Sequence, residues 1–410
     1  MRVESCIVLK PSSHFSGTVR VPGSKSISNR VLLMGALAEG ESEFTGILES
    51  DDTEYMRNAL GKLGKPSGAD FPNKKADLFL GNAGTAMRSL TAVLCLGNGE
   101  YTLRGEPRMH ERPIKDLVDA LRSMGADIEY LGTDGYPPLK INACGLNGGK
   151  VHIKGNVSSQ FLSAILIAAP YCREPLEIIV DGGLISKPYV YMTIRLMEKF
   201  GIRVESDDYR NFRPERGNYK AQKFEIDGDA SSASYFWAGA AITKGNVIVE
   251  GVEKDGLQGD VKFLEVLENM GAELNGITID AALFPDAAMT ICSVACYAKG
   301  KTKITGIASW KVKETDRISA MAKELSKVGA EVTAGDDFME ITPPEVIRPA
   351  TIETYNDHRM AMCFSLLSLN SPAGKNGAEI TILNPSCVNK TFPEYFKEFE
   401  KLRNIATPDA

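Results

Sequence analysis

The chain has 410 residues, 43% of them hydrophobic and 24% charged, with a formal net charge of −6. That acidic balance excludes the broad positive field by which proteins coat nucleic acid or an anionic membrane surface, so the 47 basic residues must act locally. The length is more than one hydrophobic core usually fills and suits two domains of about 200 residues each.

In chain order, MRVESCIVLKP (1–11) alternates and carries charge where a secretory leader has a continuous apolar run, and it reads as a strand. PGSKSISNR (22–30) then opens the first of six units in which a polar, Gly- or Asp-bearing loop runs directly into a helix of small and apolar residues. The other five are GNAGTAMRSL (81–90), GNVSSQFLSA (155–164), GDASSASYF (228–236), PDAAMT (285–290) and NDHRMAM (356–362). A second signature keeps the same rhythm, a helix end closed by glycine and then a short strand: Leu63-Gly64, and the stretches from Met124, Phe200, Met270 and Val328, each with glycine next and then Asp127-Ile128, Arg203-Val204, Glu273-Leu274 or Glu331-Val332. A sixth copy falls at Phe399 to Leu402.

Within the second unit, Ala86 to Leu96 reads as helix and Tyr101 to Leu103 as strand, and a second helix is expected from Arg112-Pro113 through Leu121, capped at Gly125. The apolar run from Phe161 to Cys172 is interrupted by Pro170 and falls short of the roughly 20 residues that cross a bilayer. Helix and strand signals are weakest from Ser206 to Lys223, just before the fourth loop. Ser231 to Ala241, Val247 to Val249 and Val261 to Met270 repeat the helix, strand, helix plan. If the first strand joins the last three units, one domain comprises residues 1–22 plus 226–410 and the other 23–225. Two chain crossings then form a hinge able to close on a ligand.

Later, WKVKETDR sets Lys313 and Arg317 four apart, on one face of an expected helix with Glu314 beside them; His358 and Arg359 stand at the mouth of an apolar helix, and Lys390 precedes the last one. The eight cysteines show no CxxC pairing and read as reduced, mostly core residues of a cytosolic protein. None of the four histidines has a metal-like partner, so neither a metal nor an organic cofactor is expected.

A helix N-terminus carries unpaired N–H groups and partial positive charge, so several aimed at one cleft make an anion site. Lys25, Arg30, Arg88, Arg359, Asp286 and Asp357 are more charge than six unrelated turns need. Taken singly, Lys25 and Arg30 also fit a solvated first turn, and PGSKSISNR lacks the spacing of a nucleotide phosphate loop. Gly81 and Gly84 let the backbone approach an anion closely, and a simple capped turn has no use for Arg88.

Together with EPRMHERPI, SKPY and KTFPEY, these motifs stand in the order and spacing of one family across nearly the whole chain: it resembles the bacterial 3-phosphoshikimate 1-carboxyvinyltransferases. The resemblance implies an α/β fold of two inside-out domains, each of three βαβαββ units with helices inside and sheets outside. It implies transfer of the enolpyruvyl group of phosphoenolpyruvate to the 5-hydroxyl of shikimate 3-phosphate, with release of phosphate, by a cytoplasmic monomer that binds neither nucleic acid nor membrane. By motif position, Lys25, Gly84, Arg112, Gln160, Arg317, Arg359 and Lys390 form the phosphoenolpyruvate set. Lys25, Ser26, Arg30, Ser158, Ser159, Gln160, Ser186, Tyr189, Asp286 and Lys313 form the shikimate 3-phosphate set, with Tyr189 stacked on the substrate ring. The reaction needs a base for the attacking hydroxyl and an acid for the alkene CH₂. Asp286 and Glu314 are the respective candidates, and Lys25 neutralises the departing phosphate.

Two positions depart from the family pattern. Ser309 stands where the family usually has Asn, and Ser89 where it usually has Pro; the second is expected to lower sensitivity to glyphosate, the family's inhibitor. A UDP-N-acetylglucosamine enolpyruvyl transferase shares the six repeats but usually has a reactive cysteine in a charged, glycine-rich loop, which this chain lacks. A non-catalytic phospho-ligand module would not retain Asp286 and Glu314, because carboxylates weaken an anion site.

Overall fold

The computed structural model describes residues 5–66 and 68–403, so Met1 to Glu4 of the expected first strand lie outside the described residues. The chain divides into two compact units, Gly23–Ile226 and Met1–Pro22 with Asp227–Ala410.

Each unit is built around helices that are buried on every side. All residues of Ala288–Ala295 and His358–Ser365 are buried, as are all but Thr85 of Gly84–Leu94 and all but Gln160 of Ser159–Ala168. Small side chains allow this, since a helix without a wet face must be packed all round. The strands before and after such a helix pair in parallel, which only a crossover permits: Leu78 lies opposite Leu103, Val151 opposite Ile178, Ile279 opposite Ile304 and Ile352 opposite Ile382. Gly149–Lys154 buries Val151 and Ile153 and exposes Lys150, His152 and Lys154, the alternation of a sheet with one face to water.

In the unit Gly23–Ile226, two four-stranded sheets run in the order Lys75–Phe79, Asn98–Arg104, Leu139–Cys144, Asp127–Tyr130 and Val204–Asp207, Asn211–Pro214, Leu176–Asp181, Gly149–Lys154. A third, two-stranded sheet joins Glu43–Thr45 to Lys223–Glu225, so the last strand of the unit completes its first repeat. The other unit follows the same plan: one four-stranded sheet, the three strands Cys6–Leu9, Ile380–Leu383 and Ala350–Ile352, and Gly17–Arg20 paired with Val247–Glu250.

The outer helices end as their glycines require. Gly64, Gly125, Gly201, Gly271 and Gly329 have φ between 69° and 95°, a region costly for residues with a Cβ. Three expectations are corrected. No strand follows Gly271, because Leu274 (φ 50°) turns back and its N–H donates to the Gly271 carbonyl. The stretch read as weakest holds the hairpin Val204–Asp207 and Asn211–Pro214. The helix expected from Arg112 begins at Lys115, after a 3₁₀ turn at Pro107–Glu111, which leaves Arg112 extended. All eight cysteines are free, but Cys6 and Cys144 are exposed on strands and are not core residues.

Candidate active site

In the unit Gly23–Ile226, the predicted residues gather at helix entrances. Lys25 is the first residue of helix Lys25–Leu37, and its ammonium lies 3.6 Å from Asp52, a carboxylate that is 2% exposed. Further along the same helix, Arg30 ties three helices together: Nη1 donates to the Ser26 carbonyl (2.9 Å) of its own helix, Nε to Thr193 Oγ1 (2.8 Å) and Nη2 to the Tyr189 carbonyl (3.4 Å) on a second, and Nη2 also to Ser163 Oγ (3.5 Å) on a third. Burial lowers its pKa to about 10. Tyr189 is half-buried on helix Lys187–Lys199, which starts after Ser186 in a left-handed conformation (φ 53°).

Gly84 opens its helix beneath Arg112. The Arg112 guanidinium donates through Nη1 to the carbonyl of Asn82 (2.9 Å) and to its Oδ1 (2.8 Å), and a Cβ on Gly84 would lie 2.6 Å from Nη2. Arg88 braces the same loop, donating to the Pro113 carbonyl (3.0 Å) and to Met109 Sδ (3.3 Å), which flank Arg112 in the chain. Ser158 caps its helix by accepting from Gln160 N–H (3.2 Å), Ser159 is buried, and Gln160 Nε2 reaches Thr85 Oγ1 at 3.5 Å.

The other unit assembles the denser cluster. Lys313 and Glu314 are not on a helix. A 3₁₀ turn, Ala308–Val312, contains Ser309 and is followed by a bend; the helix starts only at Arg317, because Asp316 caps it through Ser319 N–H (3.2 Å). Buried Trp310 fixes that turn by donating from Nε1 to the Pro285 carbonyl (2.8 Å), next to Asp286. Asp286 then meets three cations: Lys313 Nζ at 3.3 Å and Arg317 Nη1 at 3.2 Å on Oδ1, and Arg359 Nη2 at 3.1 Å on Oδ2. Arg317 also donates to Glu314 (2.8 Å) and to Asp357 (2.7 Å), and Asp357 accepts the Arg359 N–H (2.9 Å). Arg359 Nη1 donates to Tyr235 Oη (3.2 Å).

Taking such charges out of water costs several kcal/mol each unless they are paired. Lys313, Arg317 and Arg359 against Asp286, Glu314 and Asp357 balance, which holds the cations in fixed positions. Arg317 is buried, which disfavours its charge, yet Asp357, Glu314 and Asp286 raise its pKa above the usual arginine value. Lys390 ends the 3₁₀ turn Pro385–Lys390 and is 7% exposed.

Sequence reasoning missed Asp52, Asn82, Tyr235, Gln258 and Asp260. Asp260 is 5% exposed and accepts from Ala287 N–H (2.9 Å); burial and then the neighbouring Asp286 push its pKa up to about 6. Its partner is 27 residues away, so no local spacing reveals it. Among the described residues, no group of three or more His, Cys, Asp or Glu side chains could hold a metal ion. Chemically, the cluster sets carboxylates among fixed cations, an arrangement that can both meet an anion and move a proton.

Comparison with known proteins agrees with this chemistry. The model of the EPSP synthase (3-phosphoshikimate 1-carboxyvinyltransferase) family matches residues 9–399. A 3-phosphoshikimate 1-carboxyvinyltransferase from Marinomonas sp. (strain MWYL1) is 50% identical over 432 aligned positions, covering 97% of this chain and 99% of the relative. One from Sulfurovum sp. (strain NBC37-1) is 51% identical, with coverage of 97% and 99%. A solved EPSP synthase from Acinetobacter baumannii superposes with a TM-score of 0.79 at 26% identity, covering 98% of each chain.

Proposed function

The chain belongs to the EPSP synthase (3-phosphoshikimate 1-carboxyvinyltransferase) family, and from that premise we propose which of its residues carry the transfer of enolpyruvyl from phosphoenolpyruvate to the 5-hydroxyl of shikimate 3-phosphate. Two phosphates and two carboxylates bring about −5 to −6 of charge at neutral pH. An acidic protein must meet that charge with localised cations. Lys25, Arg112, Arg317, Arg359 and Lys390, with Gly84 and Gln160, bind phosphoenolpyruvate. Lys25, Ser26, Arg30, Ser158, Ser159, Gln160, Ser186, Tyr189, Asp286 and Lys313 bind shikimate 3-phosphate, Arg30 also by holding Ser26 and Tyr189 in place.

Asp286 accepts the hydroxyl proton, Glu314 protonates the CH₂ carbon, and Lys25 stabilises the departing phosphate. The observation that carries this reading is Asp286 within 3.1 to 3.3 Å of three cations, with Glu314 sharing Arg317. Substrate phosphate or carboxylate competes for the Arg317 and Arg359 donors that these carboxylates share, so acid–base competence is coupled to substrate charge. Developing charge in the transition state is then met by the same fixed guanidinium groups.

The enzyme works as a cytoplasmic monomer without nucleic acid or a bilayer as partner; no helix among the described residues is long and apolar enough to cross a membrane. Phosphate release from phosphoenolpyruvate, with shikimate 3-phosphate or UDP-N-acetylglucosamine as acceptor, tests the assignment. Release with the first alone is expected, and release only with the second refutes it.

A further inference from the structure

Gln258 and Asp260 belong to none of the motifs that point to the site, yet from one short segment they brace two of its loops. Gln258 Oε1 accepts from Ala230 N–H (3.0 Å) while its Nε2 donates to the Gly228 carbonyl (2.7 Å), so a single amide spans the entrance of helix Ala230–Thr243. Asp260 Oδ1 accepts from Ala287 N–H (2.9 Å), the peptide that immediately follows Asp286. The two side chains are 6% and 5% exposed.

A neutral amide at position 260 could accept the same N–H without the cost of burying a charge. Arg359 meets part of that charge, and the charge also acts on the acids beside it. Asp260 faces Asp229, Asp286 and Arg359, and Asp286 in turn faces Lys313, Arg317 and Arg359. Three cations on one carboxylate make it a weak base, and a second carboxylate nearby acts in the opposite direction.

We propose that Asp260 is a positioning residue of the transfer reaction, which fixes the Ala287 peptide and with it Asp286, and whose negative charge keeps Asp286 basic enough to take the acceptor's proton. This rests on the reading of Asp286 as the base. The raised pKa of Asp260, about 6, agrees with two carboxylates sharing one site. The sign follows directly. Above that pH Asp260 is charged and supports Asp286; below it Asp260 is neutral and Asp286 becomes a weaker base.

The test is the pH profile of kcat, with both substrates saturating, for the wild type and Asp260→Asn, which keeps an oxygen acceptor for Ala287 N–H. In the wild type, kcat falls about tenfold through a first acid step as Asp260 is neutralised, and further through a second step at lower pH. Asp260→Asn lacks the first step and runs about tenfold slower at neutral pH, and its acid limb starts roughly one unit lower, with both KM values within about twofold of wild type. A slower variant whose acid limb stays in place would mean that Asp260 acts only structurally, and would overturn the proposal. An unchanged kcat overturns it too. Should Asp260→Asn fail to fold, a single-step acid limb in the wild type overturns it without the variant. The base assignment is separated by Asp286→Asn: if that variant keeps its turnover, the base reading fails, whereas loss of turnover there with an unmoved profile in Asp260→Asn sinks only the present proposal.

Discussion

Replacing Gly84 by alanine should damage phosphoenolpyruvate binding and leave the fold intact. The new Cβ would stand 2.6 Å from Arg112 Nη2 and 3.1 Å from its Cζ. Relief requires the guanidinium to move by about 1 Å to reach ordinary contact distance. That shift stretches the Nη1 bonds to Asn82, now 2.8 and 2.9 Å, to or beyond hydrogen-bonding range, and moves Arg112 off its ligand position. A charge-assisted hydrogen bond contributes about 1.5 to 3 kcal/mol, so KM for phosphoenolpyruvate should rise about tenfold to a hundredfold. KM for shikimate 3-phosphate should change by less than about threefold. Stability should hardly suffer, because what yields is the tip of a flexible side chain and alanine is the better helix former by up to about 1 kcal/mol. Steady-state kinetics in both substrates, with a melting temperature for each variant, provide the measurement. An unchanged KM for phosphoenolpyruvate in a folded variant would show that Arg112 does not carry this substrate.

Asp286→Asn and Glu314→Gln should each lower kcat by about 10² or more, the usual scale for a proton-transfer group, with modest effects on KM; near-normal turnover in Glu314→Gln would place the proton donor elsewhere. Lys25→Met should weaken both binding and turnover, since one charge serves the bound substrate and the departing phosphate alike, and a change in KM alone would limit Lys25 to binding. Ser89 is the sixth residue of helix Gly84–Leu94, and its hydroxyl donates to the Thr85 carbonyl (2.6 Å); a proline there presses on that carbonyl and resets the helix start. Ser89→Pro should therefore be more sensitive to glyphosate than the wild type, with a smaller change in KM for phosphoenolpyruvate. An inhibition constant that stays the same or rises would refute this.

The helix entrances could be read from the sequence because glycine or a capping acid stands within a few residues of a cation before an apolar run: Gly81 and Gly84 with Arg88, and Asp357 with Arg359. What escaped was whatever depends on partners distant in the chain. Gln258 and Asp260 act on main-chain N–H groups 28 and 27 residues away, and nothing in their own neighbourhood signals it. Arg30 and Arg88 stand out in the sequence as cations near helix entrances, but their donors go largely to protein atoms, a distinction that only packing decides. Lys313 and Arg317 looked helical by their spacing of four; the cap at Asp316 delays the helix, and a turn brings them together instead. The hairpin after Val204 was hidden because Asp208 and Tyr209 take the positive φ values usually signalled by glycine or asparagine.

The way the chain closes each unit also sets an order of events during synthesis. The unit Gly23–Ile226 has every partner it needs once Lys223–Glu225 has left the ribosome and paired with Glu43–Thr45. Cys6–Leu9, made first, finds its partner Ile380–Leu383 almost last. At about 5 to 20 residues per second, on the order of ten seconds separate the two closures. Through that interval the first strand is an unpaired edge, which in a nascent chain invites pairing with another copy. Lys10 and Pro11 follow it directly, a charge and a missing donor that blunt such an edge until its proper neighbour arrives.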